Sequence, residues 1–282
     1  MKFLKNIGRK CLKFAYDRFY GTGIGRIPYL QNIFFKLADK VYTESIEING
    51  LIFKHNLAYG IEDSYYLATK GYESHVKNVF LSLIEEGMLV VDIGASIGYY
   101  TLIAAKKVGK TGLVLAFEPE PVSFKMLIEN IESNQLKNVK AYQIAISDEN
   151  GENTLHVPVF GIAGSTFAPL RHQTKLLKVK TIMLDDFVQD CIDIIKIDIE
   201  GAEVKAFHGM KRILKEDRPK IICEVHPRQM RMLGYTTKEL EEFLRNLDYN
   251  FYLIENNERL KQLYELQPNR AHYLFSPEEV SI

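Results

Sequence analysis

The chain has 282 residues, 46% of them hydrophobic and 26% charged, with 36 Lys plus Arg balancing 36 Asp plus Glu. That composition fits one large α/β domain with an appendage, or two small domains, and excludes wholesale disorder. Zero net charge gives no global sign of a nucleic-acid partner, which would favour a basic chain, so none is expected.

Cys11, Cys191 and Cys223 are too few and too scattered for a disulfide framework. Cys191 and Cys223 border apolar runs and read as small core residues. No Cys or His pair has zinc-ligand spacing. No run approaches the ~20 apolar residues of a membrane span. The basic N-terminus lacks the unbroken apolar stretch of a signal peptide. A reducing, cytoplasmic setting is the default expectation.

In chain order, residues 1–20 carry Lys2, Lys5, Arg9, Lys10, Lys13 and Arg18 against Asp17, with Leu4, Ile7, Cys11 and Phe14 at helical spacing. This is a basic amphipathic helix with two readings: packing on its own protein, or reversible contact with a membrane surface. A second apolar-periodic stretch runs from Pro28 to about Tyr42. Ser45–Ile48, Asn49-Gly50 and Leu51–His55 read as a hairpin, because Asn-Gly suits a type I′ turn. Residues 1–71 are expected to form a helical and hairpin cap, and residues 72–282 the main domain.

From Tyr72 onward helices and strands alternate. Val76, Val79, Phe80, Leu83 and Ile84 predict a helix stopped by Gly87 as its C′ residue. Strands are predicted at Met88–Ile93, Leu113–Phe117, Val139–Ile146, Ile192–Ile197 and Lys220–Val225. Helices are predicted at Tyr99–Lys107, Pro121–Asn134, Gly201–Leu214 and Lys238–Leu247. Residues 151–182 read as an insert of short β patterns. Phe251–Ile254 and His272–Phe275 close the chain as an antiparallel pair. Such alternation implies a mostly parallel sheet with helices on both faces.

Val90-Val91-Asp92-Ile93-Gly94-Ala95-Ser96-Ile97-Gly98-Tyr99-Tyr100-Thr101 carries the main signal: a buried strand, a glycine-punctuated turn, then a helix. Gly94 permits a tight turn and lets a ligand lie against the backbone. Gly98 permits close approach at the helix start. Ligands in such sheets bind at the carboxyl ends of strands. Asp92 at that end suits a cationic ammonium and is a poor neighbour for a pyrophosphate. Glu118, closing the next strand before Pro119, is placed to accept hydrogen bonds from ribose hydroxyls. Ala145, at the end of the third strand, would flank an adenine ring or simply pack in its strand.

These residues, with Phe117-Glu118-Pro119, Ile195-Lys196-Ile197-Asp198-Ile199-Glu200-Gly201-Ala202-Glu203 and Glu224-Val225-His226-Pro227, resemble the FkbM-type methyltransferases over roughly residues 70–230. The resemblance implies a Rossmann-like class I domain with a seven-stranded sheet. It implies S-adenosylmethionine as methyl donor, bound by Asp92, Gly94, Ala95, Ser96, Gly98, Tyr99, Glu118, Pro119 and Ala145. It also implies O-methylation of a hydroxyl on a sugar, glycolipid or natural product.

Methyl transfer needs positioning and a dry pocket, and a hydroxyl acceptor also needs a base. Asp198 and Glu200 close the fourth strand, beside the first, and are catalytic candidates. His226 closes the fifth and is a candidate general base. Glu203 reads as a charge stabilising the start of the next helix. Lys196 reads as a solvated strand residue or an ion partner. Asp198, Glu224 and His226 could also hold a divalent cation, but they lack a recognisable metal-ligand spacing, so no metal is assigned. His208 reads as surface, while His156 and His172 are candidates for an acceptor pocket.

Gly94-Ala95-Ser96-Ile97-Gly98 also fits the G-x-S-x-G nucleophile elbow of α/β-hydrolases, with Ser96 as nucleophile. That reading lacks an oxyanion segment and leaves Asp92 and Glu118 without a role. A nicotinamide enzyme would want glycine where Ser96 stands. A module that binds S-adenosylmethionine or a glycan without turnover is the remaining alternative.

Overall fold

The computed structural model describes residues 45–48, 50–54, 73–158, 165–169 and 174–280. The helices expected at residues 1–20 and from Pro28, together with His172, lie outside the described residues. By its contacts the chain divides into two units, residues 1–71 and 72–282.

In the first unit, β1 (Ser45–Ile48) and β2 (Leu51–Lys54) pair antiparallel, with Ile48 opposite Leu51. Gly50 takes a φ of 73°, the left-handed geometry that a two-residue hairpin turn demands.

The second unit is built on an eight-stranded sheet ordered β12-β11-β13-β10-β9-β3-β4-β5. Its parallel part comprises β3 (Leu89–Ile93), β4 (Leu113–Phe117), β5 (Val139–Tyr142), β9 (Ile194–Ile197) and β10 (Lys220–Val225). β11 (Asn250–Ile254) and β13 (Ala271–Ser276) pair antiparallel as expected, and β13 is also antiparallel to β10. The sheet carries one strand more than the seven expected: β12 (Leu260–Leu263) adds to the outer edge of β11. Its two end leucines are half-buried around an exposed Lys261 and Gln262, so no apolar run announces it.

Helices α1 (Ser74–Leu83), α2 (Tyr99–Val108) and α3 (Pro121–Ser133) follow the periodicity of the sequence. α1 ends at Ile84, in extended backbone, so Gly87 is not its C′ residue. Gly87 instead turns the chain into β3 at a φ of 91°. β3, β4 and β9 are buried along nearly their whole length. Val91, Ile93, Leu115, Phe117, Ile195, Ile197, Ile221 and Cys223 join the main core. Cys191, expected in that core, is exposed.

Two predicted elements are divided. Val139–Ile146 is not one strand: β5 stays in the main sheet, while β6 (Ala145–Ile146) joins a second one. That second sheet, ordered β6-β8-β7, is the insert. Its β7 (Gly151–Pro158) and β8 (Thr174–Ile182) form a long antiparallel ladder. The predicted helix Gly201–Leu214 is two helices, α5 (Glu203–His208) and α6 (Lys211–Glu216), with the short α4 (Leu184–Phe187) earlier in the chain. The break falls at Gly209, where a Cβ would stand 1.9 Å from the Ser147 carbonyl oxygen. Close approach of two backbones therefore sets that junction. α7 (Pro227–Met232) follows β10 directly, and α8 (Thr237–Arg245) starts with a capping box between Thr236 and Glu239.

Candidate functional site

A cleft enclosing about 860 Å³, part of it open to solvent, lies at the carboxyl ends of β3, β4 and β9. Gly94, Ser96, Glu118, Pro119 and Ala145 line it, as do Asp198 and Glu200. Phe117, Ile144, Leu155 and Phe167 give it apolar walls, and the insert contributes Ser165 and Thr166. His156 meets Thr166 through backbone hydrogen bonds and is not among the lining residues.

Asp92, Ala95, Gly98 and Tyr99 do not line the cleft; all four are buried. Gly94 takes the left-handed turn geometry expected of it, at a φ of 82°. A Cβ there would also stand 1.9 Å from the Asp198 carbonyl oxygen, so close packing against the end of β9 requires the bare backbone as well. At Gly98 a Cβ would meet Leu127 and Leu102, which ties that glycine to packing of α2 on α3. Ser96 and Glu200 both line the cleft and both hold a φ of 50°. Left-handed backbone at a non-glycine residue costs about 1 kcal/mol or more and concentrates at functional sites.

Glu118 is buried. Its carboxylate accepts the Ser96 and Glu120 backbone N–H groups, each at 2.8 Å. Burial, outweighing those hydrogen bonds, pushes its pKa up to about 7. Asp92 accepts from the Thr101 hydroxyl. Burial raises it to about 6 against that bond and the Lys196 charge.

β9 and β10 pair with Ile197 beside Cys223, and Glu224 faces His272 across β10 and β13. One further row along the same register sets Asp198 next to Glu224. Asp92 sits opposite Lys196 on β3 and β9, two residues back on that face. Lys196, expected on the surface or in an ion pair, is fully buried and lies 3.8 Å from the Asp198 carboxylate. Its ammonium also sits 4.8 Å from the centre of the Tyr100 ring. Burial lowers its pKa, but Asp198, Glu73 and Asp92 outweigh that and raise it.

His226 is fully buried. Its Nδ1 stands 2.8 Å from a carboxylate oxygen of buried Glu203, and its Nε2 lies 3.3 Å from Glu200 and 3.7 Å from Glu224. Burial lowers its pKa, but the Glu203 hydrogen bond and the Glu203, Glu200 and Asp198 charges push it up to about 9. His226 therefore stands behind Glu200, outside the lining of the cleft. Glu200, raised by burial and lowered by His226, also accepts from Gln229. Arg270 reaches Glu224 at 2.7 Å, and His272 reaches Glu73 at 3.3 Å. Sequence reasoning missed Glu73, Arg270 and His272 altogether, and assigned Glu203 only to its helix. His208 is exposed, as expected.

Three acids and no basic side chain line the cleft. That donor set suits a ligand with cationic ends, an ammonium or a sulfonium, and repels a pyrophosphate. Glu118 offers carboxylate oxygens for a diol, and the apolar walls suit a planar base. These residues fit S-adenosylmethionine.

Residues 92–251 match the methyltransferase FkbM domain. Methyltransferase 1 of Beauveria bassiana is 26% identical over 43% of this chain and 57% of its own length. The tRNA(Phe) (4-demethylwyosine(37)-C(7)) aminocarboxypropyltransferase of Methanocaldococcus jannaschii is 32% identical, over 42% of this chain and 43% of its own. Hexuronic acid methyltransferase AglP of Haloferax volcanii is 26% identical, over 55% and 62%. The chain thus spans roughly two-fifths to three-fifths of the length of these curated relatives. No described helix is long and apolar enough to cross a membrane.

Proposed function

The chain belongs to the methyltransferase FkbM family and takes S-adenosylmethionine as its cofactor, and we propose that it O-methylates a hydroxyl of a sugar or related polyol. Bound S-adenosylmethionine supplies a methyl group already activated on a sulfonium. The chain's own task is then to hold two ligands in line, exclude water and receive a proton. Family membership sets aside the hydrolase reading of Ser96.

The observation that carries the proposal is that the charged side chains lining the cleft are all acidic: Glu118, Asp198 and Glu200. In this reading Glu118 binds the ribose hydroxyls, with Ser96, Pro119 and Ala145 beside it. Phe117, Ile144 and Leu155 enclose the base. Asp198 and Glu200 face the acceptor. Glu200, a carboxylate made more basic by burial, takes the hydroxyl proton, while His226 and Gln229 fix its orientation. Asp198, held by Lys196, orients the hydroxyl. Asp92 supports the site from behind through Thr101 and Lys196. The likeness to a hexuronic acid methyltransferase supports a sugar acceptor.

The test is transfer of radiolabelled methyl from S-adenosylmethionine to a panel of sugar acids, nucleotide sugars and glycolipids. A base-stable labelled product is an ether and supports hydroxyl methylation. A base-labile product is an ester of a carboxylate acceptor and contradicts it. Cofactor binding without transfer across the panel favours a binding module.

A further inference from the structure

Next to the cleft, the sheet edge concentrates more negative charge than its fixed cations balance. Glu73, Asp198, Glu200, Glu203 and Glu224 surround His226 and His272, and the permanent cations among them are Lys196 and Arg270. Clustered acids alone would say little. His226 adds a second, independent feature. Its Nδ1 is committed to Glu203, which is fully buried and also accepts the Gly201 backbone N–H at 3.0 Å. Its Nε2 is buried, makes no hydrogen bond, and faces Glu200, Glu224 and Asp198. A carboxylate that fixes one imidazole nitrogen and turns the other toward further acids is the usual support for a metal-binding histidine.

We propose that Asp198, Glu224 and His226 form a binding site for one divalent cation of the Mn²⁺ type at the rim of the cleft. One ligand atom from each of the three lies within 4.8 Å of the others. Neighbouring ligands of a six-coordinate ion stand about 3 Å apart and opposite ones about 4.2 Å; His226 Nε2 already lies 3.7 Å from Glu224, and side-chain rotation at Asp198 and Glu224 would close the set. Two carboxylates and one imidazole suit Mn²⁺ better than thiolate-seeking or all-oxygen ions. The positions follow from register: Asp198 and Glu224 end neighbouring parallel strands, and His226 lies two residues beyond Glu224. A second set, Glu73, Glu224 and His272, shares Glu224. Its histidine has no buried carboxylate holding its other nitrogen among the described contacts, and this makes it the weaker alternative. An ion at the first set would sit beside Asp198, which lines the cleft. There it could take an acceptor hydroxyl as a ligand and lower that hydroxyl's pKa, leaving Glu200 free to receive the proton.

The proposal is tested without cofactor or acceptor, so its failure leaves the methyltransferase reading untouched. The full chain, stripped with chelator, is titrated with Mn²⁺, and the free ion is followed by its paramagnetic resonance signal. The expected result is one ion per chain, weakened at least about tenfold in Asp198→Asn, Glu224→Gln and His226→Ala. Glu73→Gln should bind as the wild type does. Asp198→Asn alters a partly exposed side chain and keeps the test alive if either buried variant fails to melt cooperatively. Three outcomes overturn the proposal: no saturable binding by the wild type up to about 1 mM, undiminished binding in Asp198→Asn, or loss in Glu73→Gln with retention in His226→Ala.

Discussion

Glu203 Oε1 lies 2.8 Å from His226 Nδ1, and both side chains are fully buried. The two residues sit on consecutive βα connections, one at the start of α5 and one at the end of β10. The pair anchors the acidic wall behind the cleft, because the same imidazole reaches Glu200. Glu203→Gln keeps the shape and removes the charge that holds the ring. The expected effect is a fall in kcat of about 10–100-fold with S-adenosylhomocysteine affinity unchanged. A matching fall in cofactor affinity would show a general packing defect instead.

Lys196 is the buried counter-ion of this wall. Lys196→Met should cost about 3–5 kcal/mol of stability at neutral pH, since it strands Asp92 and Asp198 beside each other without a cation. The double variant with Asp92→Asn should recover part of that loss in urea unfolding. If the single variant unfolds at the wild-type midpoint, Lys196 contributes nothing to charge balance.

Gly94 and Gly234 are both left-handed, at φ 82° and 85°, yet only Gly94 is crowded. Gly94→Ala must push β9 away and should destabilise by roughly 2–4 kcal/mol. Gly234→Ala has open space and should cost about 1 kcal/mol from backbone strain alone. Equal losses in thermal unfolding would contradict the assignment of Gly94 to strand packing.

Glu118 makes cofactor affinity depend on pH. Its pKa of about 7 lies above the ordinary 4.5, so the free protein keeps this carboxyl protonated further up the pH scale than the unfolded chain does. Its contribution to stability is therefore largest below pH 4.5 and is lost as pH rises through 7. Ribose hydroxyls donate to the carboxylate form. Affinity for S-adenosylhomocysteine should thus rise between pH 6 and 8, by up to about tenfold per unit of pKa change on binding, and then level off. Glu118→Gln should abolish the slope, and a wild type with flat affinity across this range would exclude the assigned contact.

The parallel strands and the cleft position were legible because buried strands read as apolar runs ending at or near Asp92, Glu118, Asp198 and Glu224. Elements set by distant contacts were not. The break between α5 and α6 depends on Ser147 approaching Gly209, and nothing local around Gly209 signals it. β12 is four residues long with two polar residues in its middle, and shows neither an apolar run nor an alternation. Glu203 could only be read as a helix-start charge, since its partner His226 lies 23 residues away and meets it through the pairing of β9 with β10. His272 required the antiparallel register that sets it opposite Glu224. Gly94 was legible as a turn glycine, but its close approach to the Asp198 backbone was not, because a sequence does not show which backbone fills a space.

The most direct test is a calorimetric titration of the full chain with S-adenosylhomocysteine, with NADH as the parallel ligand and Glu118→Ala as the variant. The expected result is one tight site for the homocysteine nucleoside, no binding of the dinucleotide, and loss of the site in a variant that still melts cooperatively. Absence of binding by the wild type, or undiminished binding by the variant, would contradict the placement of the methyl donor in this cleft.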